Sequence, residues 1–279
     1  MKELRKLQLA ILDLAVEFKR ICDKHHINYF LVGGSLLGAV RHKGFIPWDD
    51  DMDIGLLRRD YQKFISIAKE ELDPSYFLQT FNSDTHYGHG YAKLRIRNTV
   101  FLEDYTKDSK QNNGVFLDVF PFDNIPDNKL LKKIQYLQFK CYKWSLLGKT
   151  DGYSFVQRKR RLFAKTMGIM IPWNRKKTYT KMCNICTKYI GCNTVYAANL
   201  FGAYYDNDYY RCDDLKDVIE IEFEGYLFKA PRNYHRFLSH IYGDYMKLPP
   251  ENKRRCHTQT KPNLGSYYIR NKQYQKEKK

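Results

Sequence analysis

Apolar residues recur at Leu4, Leu7, Ile11, Leu14, Phe18 and Ile21. That spacing predicts an amphipathic helix over residues 1–25. The run Tyr29-Phe30-Leu31-Val32 stops at Gly33-Gly34, as a buried strand does when it enters a tight turn. Ser35 is then placed to cap a short helix through Leu36, Leu37, Ala39 and Val40. Residues 52–56 read as a second strand. Residues 59–72 read as a helix with Tyr61, Phe64, Ile65 and Ala68 on one face. Further strands are expected over 76–81, 91–97 and 115–120, closed by Pro121, Pro126 and the pair Asp127-Asn128. Residues 129–190 read mostly as helix, with a break at Pro172. Short strands return from Val195, followed by a helix over 232–242, a Pro-rich basic tail, and a lysine-rich end from Lys272 that is expected to fray. There is no internal repeat. The order predicts an α+β fold with a small mixed sheet, divided into a core (1–128), a helical region (129–192) and a segment returning to the core (193–279).

The chain has 279 residues, 43% hydrophobic and 15% aromatic, enough to bury a core. A net charge of +17 implies an anionic partner: nucleic acid, a phosphorylated glycan or a membrane surface. No apolar run approaches the roughly 20 residues of a membrane-spanning helix, and the N-terminal pattern is not that of a signal peptide. A cytoplasmic protein is therefore expected. The seven cysteines are scattered, as reduced thiols are. Cys183-x-x-Cys186 with Cys192 lacks an evident fourth zinc ligand, so core packing is the default there.

Against this basic background, Asp49, Asp50, Asp51 and Asp53 crowd into one short stretch. Such carboxylates repel one another unless a cation offsets them. On a strand, Asp51 and Asp53 would share one face while Met52 and Ile54 point into the core. The pair could hold Mg²⁺ (or Mn²⁺), hard cations that favour oxygen ligands. Asp118 sits within Val115-Phe116-Leu117-Asp118-Val119-Phe120, where an unpaired carboxylate is expensive. It reads either as a third metal ligand or as half of an ion pair. Gly33-Gly34-Ser35 lets backbone N–H groups approach an anion, although it is neither a Walker A loop nor a dinucleotide fingerprint. Lys93, Arg95 and Arg97 alternate along one strand. They suit a polyphosphate beside the metal, or a solvated face.

The stretch from Phe30 to Gly55, with Gly-Gly-Ser-Leu-Leu-Gly-Ala-Val-Arg-His-Lys-Gly-Phe-Ile-Pro-Trp-Asp-Asp-Asp-Met-Asp-Ile, closely resembles the LicD family of phosphocholine and phosphopolyol transferases. Fukutin-type ribitol-phosphate transferases are more distant relatives. The likeness continues in Lys93-Leu94-Arg95, in Asp118-Val119-Phe120-Pro121, in Tyr242-Gly243-Asp244-Tyr245-Met246, and in Pro249-Pro250 and His257. Residues 130–220 match only in general character. The resemblance implies a nucleotidyltransferase-like fold in which Gly34-Ser35, Asp51, Asp53 and Asp118 handle nucleotide phosphates and metal. The separation between Asp53 and Asp118 is long for that fold.

The resemblance also implies a CDP-linked donor, CDP-choline foremost, with ribitol or glycerol as other alcohols that would fit. A hydroxyl of a cell-surface glycan precursor would be the acceptor and CMP the leaving group. Lys93 and Arg95 would steady the pyrophosphate. Arg254, Arg255 and His257 would close over the donor from the tail, unless that tail is a solvated basic segment. In the middle region, Arg158-Lys159-Arg160-Arg161 and Arg175-Lys176-Lys177 flank an apolar stretch. That pattern suits an anionic inner leaflet, where a lipid-linked acceptor would be met, or an ordinary helical hairpin with charged ends. Two rival classes are a metal-dependent glycosyltransferase using a nucleotide sugar, and a nucleic-acid-binding module. The second leaves Asp118 and the acid run unexplained, so no nucleic acid is expected.

Overall fold

The computed structural model describes residues 2–104, 106–153, 158–202, 209–256, 258 and 260–278. The helices are α1 (Glu3–Lys24), α2 (Gly33–His42), α3 (Arg58–Glu71), α4 (Lys129–Gly148), α5 (Arg158–Met170), α6 (Arg175–Cys186), α7 (Cys212–Lys216), α8 (Tyr234–Tyr242) and α9 (Lys272–Lys278). The strands are β1 (Phe30–Leu31), β2 (Asp53–Leu57), β3 (Tyr76–Gln79), β4 (Ala92–Ile96), β5 (Phe116–Ile125), β6 (Tyr196–Ala198), β7 (Tyr209–Arg211), β8 (Val218–Phe223) and β9 (Tyr226–Pro231). The fold is α+β. A mixed sheet runs β1-β2-β5-β4-β3, β6 and β7 extend it from β5, and β8-β9 form a separate hairpin.

Most of these elements sit where the hydrophobic pattern puts them. Helix α1 buries Leu7, Ile11, Leu14, Phe18 and Ile21, and Phe18 packs against Tyr29 and Phe64. Strands β2 and β5 run parallel at the centre of the sheet, Asp53 opposite Asp118. A parallel pair needs a long crossover, which α3, β3 and β4 supply.

Strand β5 does not end at Phe120; it runs through Pro121 to Ile125. Asp118 N–H donates to Met52 O, so by alternation the N–H groups of residues 118, 120 and 122 face β2. The position of Pro121 faces the β4 side, and β4 pairs with β5 only as far as Val119. The missing donor therefore disrupts no ladder bond.

The C-terminal end is not frayed. Asn271 is buried and donates to Leu9 O and to Asp13 Oδ1 (2.9 Å). Arg270 N–H and the Tyr267 hydroxyl donate to Asp13 Oδ2. Tyr274 N–H donates to Asn271 Oδ1, opening α9, and Glu277 pairs with Arg5 of α1. Arg5 also forks onto Glu224 at the β8-β9 turn, at 2.9 and 2.7 Å.

The start of α3 is fixed to the far end of β5 by Arg58, whose Nε and Nη2 each donate to the Asp123 carboxylate at 2.6 Å. Both side chains are buried. Removing one member of such a pair leaves an uncompensated charge in the core. Asp123→Ala is expected to lower unfolding stability by about 3–5 kcal/mol, read by urea denaturation. A loss under about 1 kcal/mol would place the pair among weak surface bridges instead.

Candidate active site

The turn that carries the acid run is fixed from α1. Gln8, itself buried, donates from Nε2 to Ile46 O (3.3 Å) and Asp49 O (2.9 Å). Asp49 N–H closes the turn onto Ile46 O. Ser35 does not cap α2; the helix begins at Gly33, with Val32 at its N-cap. The Ser35 hydroxyl instead accepts from Asp53 N–H at 2.8 Å and locks the first turn of α2 to the start of β2. Gly33 has φ +52°, a left-handed conformation that side chains disfavour. A methyl group at Gly34 would lie 2.7 Å from Asp49 Oδ2. Glycine here lets the backbone of a helix N-terminus meet a carboxylate, where the helix dipole favours negative charge.

These residues line a cleft of about 1040 Å³. Asp49, Asp50, Asp51, Asp53 and Asp118 all open onto it, as do Gly33 and Gly34. Among the described residues, the acids whose carboxylate oxygens gather within 4.8 Å of one another are Asp49, Asp50 and Asp51. Asp51 lies just before β2 rather than on it. Asp53 and Asp118 occupy facing positions on β2 and β5. Burial pushes the Asp53 carboxyl well above the usual carboxylate range, and Asp51, Asp118 and Asp49 push it further. Asp118 is raised to about 7, first by burial, then against the opposing pull of Lys93.

The basic strand is not a solvated face. Lys93 and Arg95 are both fully buried. Lys93 Nζ lies 2.9 Å from Glu103 Oε1 and 2.9 Å from Asp118 Oδ1, above the Phe116 ring. Arg95 donates to Gln79 Oε1 and Gly114 O at 2.6 Å each and approaches Glu103 at 3.5 Å. Neither cation lines the cleft. Arg97, exposed at the end of β4, donates to Tyr76 O.

The tail returns to the cleft. Thr258 N–H donates to Asp50 Oδ2 at 2.8 Å, and Arg255 lines the rim. Arg254 stacks its guanidinium 5.3 Å from the Trp48 ring centre and donates to Pro249 O. His257 lies outside the described residues.

Several lining residues had escaped assignment from the sequence. Asp49 and Asp50 stood in the acid run without a role. Glu103 follows the apolar run Val100-Phe101-Leu102 but precedes the polar segment from Asp104, so it lacks the two-sided apolar setting that marks Asp118. Arg41 follows the Gly-Gly-Ser turn and donates to Tyr245 O at 2.7 Å. Lys143, on the wall contributed by α4, is lowered to about 8 by burial; nothing in its local sequence marks it. Burial also pushes up the Cys183 and Cys186 thiols, which suits core packing.

The sequence profile described as "LicD/FKTN/FKRP, nucleotidyltransferase domain" matches residues 26–159, a span that holds Asp49, Asp50, Asp51, Asp53 and Asp118. The lipopolysaccharide cholinephosphotransferase LicD of Haemophilus influenzae is 31% identical over 265 residues, covering 91% of this chain and 95% of that protein. The chain belongs to the LicD family. Mouse ribitol 5-phosphate transferase FKRP is 56% identical over 114 residues, which cover 41% of this chain and 20% of FKRP. Tyr242, Arg255 and Thr258 fall beyond the matched profile.

His89 lines the cleft among the rings of Tyr87, Tyr91 and Tyr153, and burial lowers it to about 3. It is neutral in the fold, whereas an unfolded histidine takes up a proton near pH 6.5. Its contribution to stability is therefore complete above about pH 6.5 and is lost as pH falls towards 3. Below pH 6.5, unfolding free energy should fall up to about 1.4 kcal/mol per pH unit more steeply in the wild type than in His89→Asn. Parallel pH curves for the two proteins, from denaturant titrations, would show that His89 is not held neutral.

Proposed function

We propose that this chain is a divalent-metal-dependent phosphotransferase that moves a phospho-alcohol, phosphocholine foremost, from a CDP-linked donor to a hydroxyl of a cell-surface glycan precursor. One observation carries the reading. Asp49, Asp50, Asp51, Asp53 and Asp118 line one cleft at the N-terminus of α2, in a chain related almost end to end to a cholinephosphotransferase.

The residues present fit a hard cation. The donors are all carboxylate oxygens, and Asp53 is pushed far up by burial and by its acidic neighbours. A bound cation would relieve that repulsion. Asp51 and Asp53, with Asp118 beside them and Asp49 and Asp50 at hand, would hold Mg²⁺ or Mn²⁺. The ion would supply charge neutralisation for the donor diphosphate and the leaving oxygen.

The chain's own groups do the rest. The first N–H groups of α2 have no intrahelical acceptor and would receive phosphate oxygens. Arg41, Lys253 and Arg255 at the rim offer cations to the nucleotide end. Lys93 and Arg95 act from beneath, fixing Glu103 and Asp118 rather than touching the pyrophosphate. The acceptor oxygen attacks the phosphorus that carries the alcohol, its proton passes to a cleft carboxylate, the bond to the bridging oxygen breaks, and CMP departs. At about 1040 Å³ the cleft lies at the top of the small-ligand range.

Purified protein with Mg²⁺ and glycan acceptors should release CMP from one member of a panel of CDP-choline, CDP-ribitol and CDP-glycerol. Release of a nucleoside diphosphate from a nucleotide sugar would assign a glycosyltransferase instead. Asp51→Asn and Asp53→Asn should each lower turnover about a hundredfold or more with secondary structure intact. Near-wild-type transfer by either would remove the metal assignment. Mg²⁺ or Mn²⁺ at about 100 times its Kd should stabilise the wild type by about 2.7 kcal/mol, and the gain should vanish in Asp51→Asn. Equal thermal shifts in both proteins would place the ion elsewhere.

A further inference from the structure

The basic character of this protein is not spread evenly. Residues 129–192 contain sixteen Lys or Arg against a single acid, Asp151, so fifteen of the seventeen net positive charges fall in α4, α5, α6 and their connections. The cleft, by contrast, is dominated by aspartates. A partner that answers the net charge is therefore to be sought on the helical region.

That region also has an unusual arrangement of apolar side chains. Helix α5 turns its small residues inward. Ala164 is buried, and a methyl group at Gly168 would lie 3.4 Å from the Gly148 backbone of α4. Its large apolar residues point the other way: Leu162, Phe163, Ile169 and Met170 are 67%, 50%, 83% and 68% exposed. At positions i, i+1, i+7 and i+8 they share one face. Helix α4 adds Leu130, Ile134 and Leu137 at i, i+4 and i+7, at 66%, 41% and 50% exposure. Lys159, Arg160 and Lys165 on α5, and Lys129 and Lys133 on α4, are exposed around these stripes.

We propose that the α4-α5 face docks on an anionic lipid bilayer, its leucine, isoleucine and phenylalanine side chains entering the boundary between headgroups and acyl chains. Apolar burial and attraction to anionic headgroups act together there. Among the described residues, no helix is long and apolar enough to cross a membrane, so the contact lies in the plane of the interface. A symmetric pair of copies would set two such basic faces against each other. Nucleic acid phosphates would meet the lysines but leave the apolar stripe in water. A bilayer with anionic lipid satisfies both the charge and the apolar residues. This inference does not depend on the phosphotransferase reading.

The test is co-sedimentation of the full chain with vesicles of phosphatidylcholine alone or of phosphatidylcholine with phosphatidylglycerol, at about 0.05 M and about 0.5 M salt. Expected is binding to the anionic vesicles, weakened by salt, and little to the neutral ones. Leu162→Ser with Ile169→Ser should weaken binding about tenfold or more with an unchanged melting temperature, since both residues face solvent. Asp51→Asn should bind as the wild type does, which separates this surface from the cleft. The proposal is overturned if anionic vesicles fail to bind, if neutral vesicles bind equally well, or if the double variant binds like the wild type. It also falls if light scattering shows a dimer that the double variant dissolves, or if RNA binding is what those substitutions abolish.

Discussion

The constraint on which this structure turns is the electrostatics of a row across the sheet. Asp53 on β2 faces Asp118 on β5, Asp118 faces Lys93 on β4, and Lys93 faces Gln79 on β3. Cross-strand partners project from the same side of a sheet, so two acids, a lysine and an amide are forced into line. One end of the row, Lys93 with Glu103 and Arg95, is internally compensated. At the other end, Asp53 is crowded by the acids of the preceding turn. The imbalance is directional, and it opens onto the cleft.

Much of the surrounding architecture serves to hold that imbalance in place. Gln8 fixes the acid turn from α1, Ser35 ties β2 to α2, and Arg5 clamps the β8-β9 turn and α9 to the same helix. Most of the net positive charge sits in the helical region, while cations at the cleft, Arg41, Lys143, Lys253 and Arg255 among them, line its wall and rim. Acid cleft and basic helical region are therefore distinct parts of the surface, although the net charge of the chain registers only their sum.

The hydrophobic pattern located α1, β2, α3 and the helical middle because local periodicity reports which face is buried. The acid run and Asp118 stood out because burying a carboxylate among apolar neighbours is costly enough to leave a trace in composition. What local pattern could not convey was pairing. The alternation of Lys93 and Arg95 was visible, but the carboxylates that claim them come from Glu103 and from another strand. Pro121 read as a stop because its exemption depends on where β4 departs. The terminal lysines read as frayed because the anchors, Asp13 and Arg5, lie at the opposite end of the chain. Ser35 has the identity of a cap, yet its partner, Asp53 N–H, is set by tertiary structure.

The hydrogen bond from Thr258 to Asp50 spans 208 positions of sequence. At ribosomal speeds that interval corresponds to a delay on the order of ten to forty seconds. A nascent chain therefore displays its crowded aspartates well before the segment that tethers one of them has been made. Assembly of the pocket is a late event in the life of each molecule, governed by translation as well as by folding.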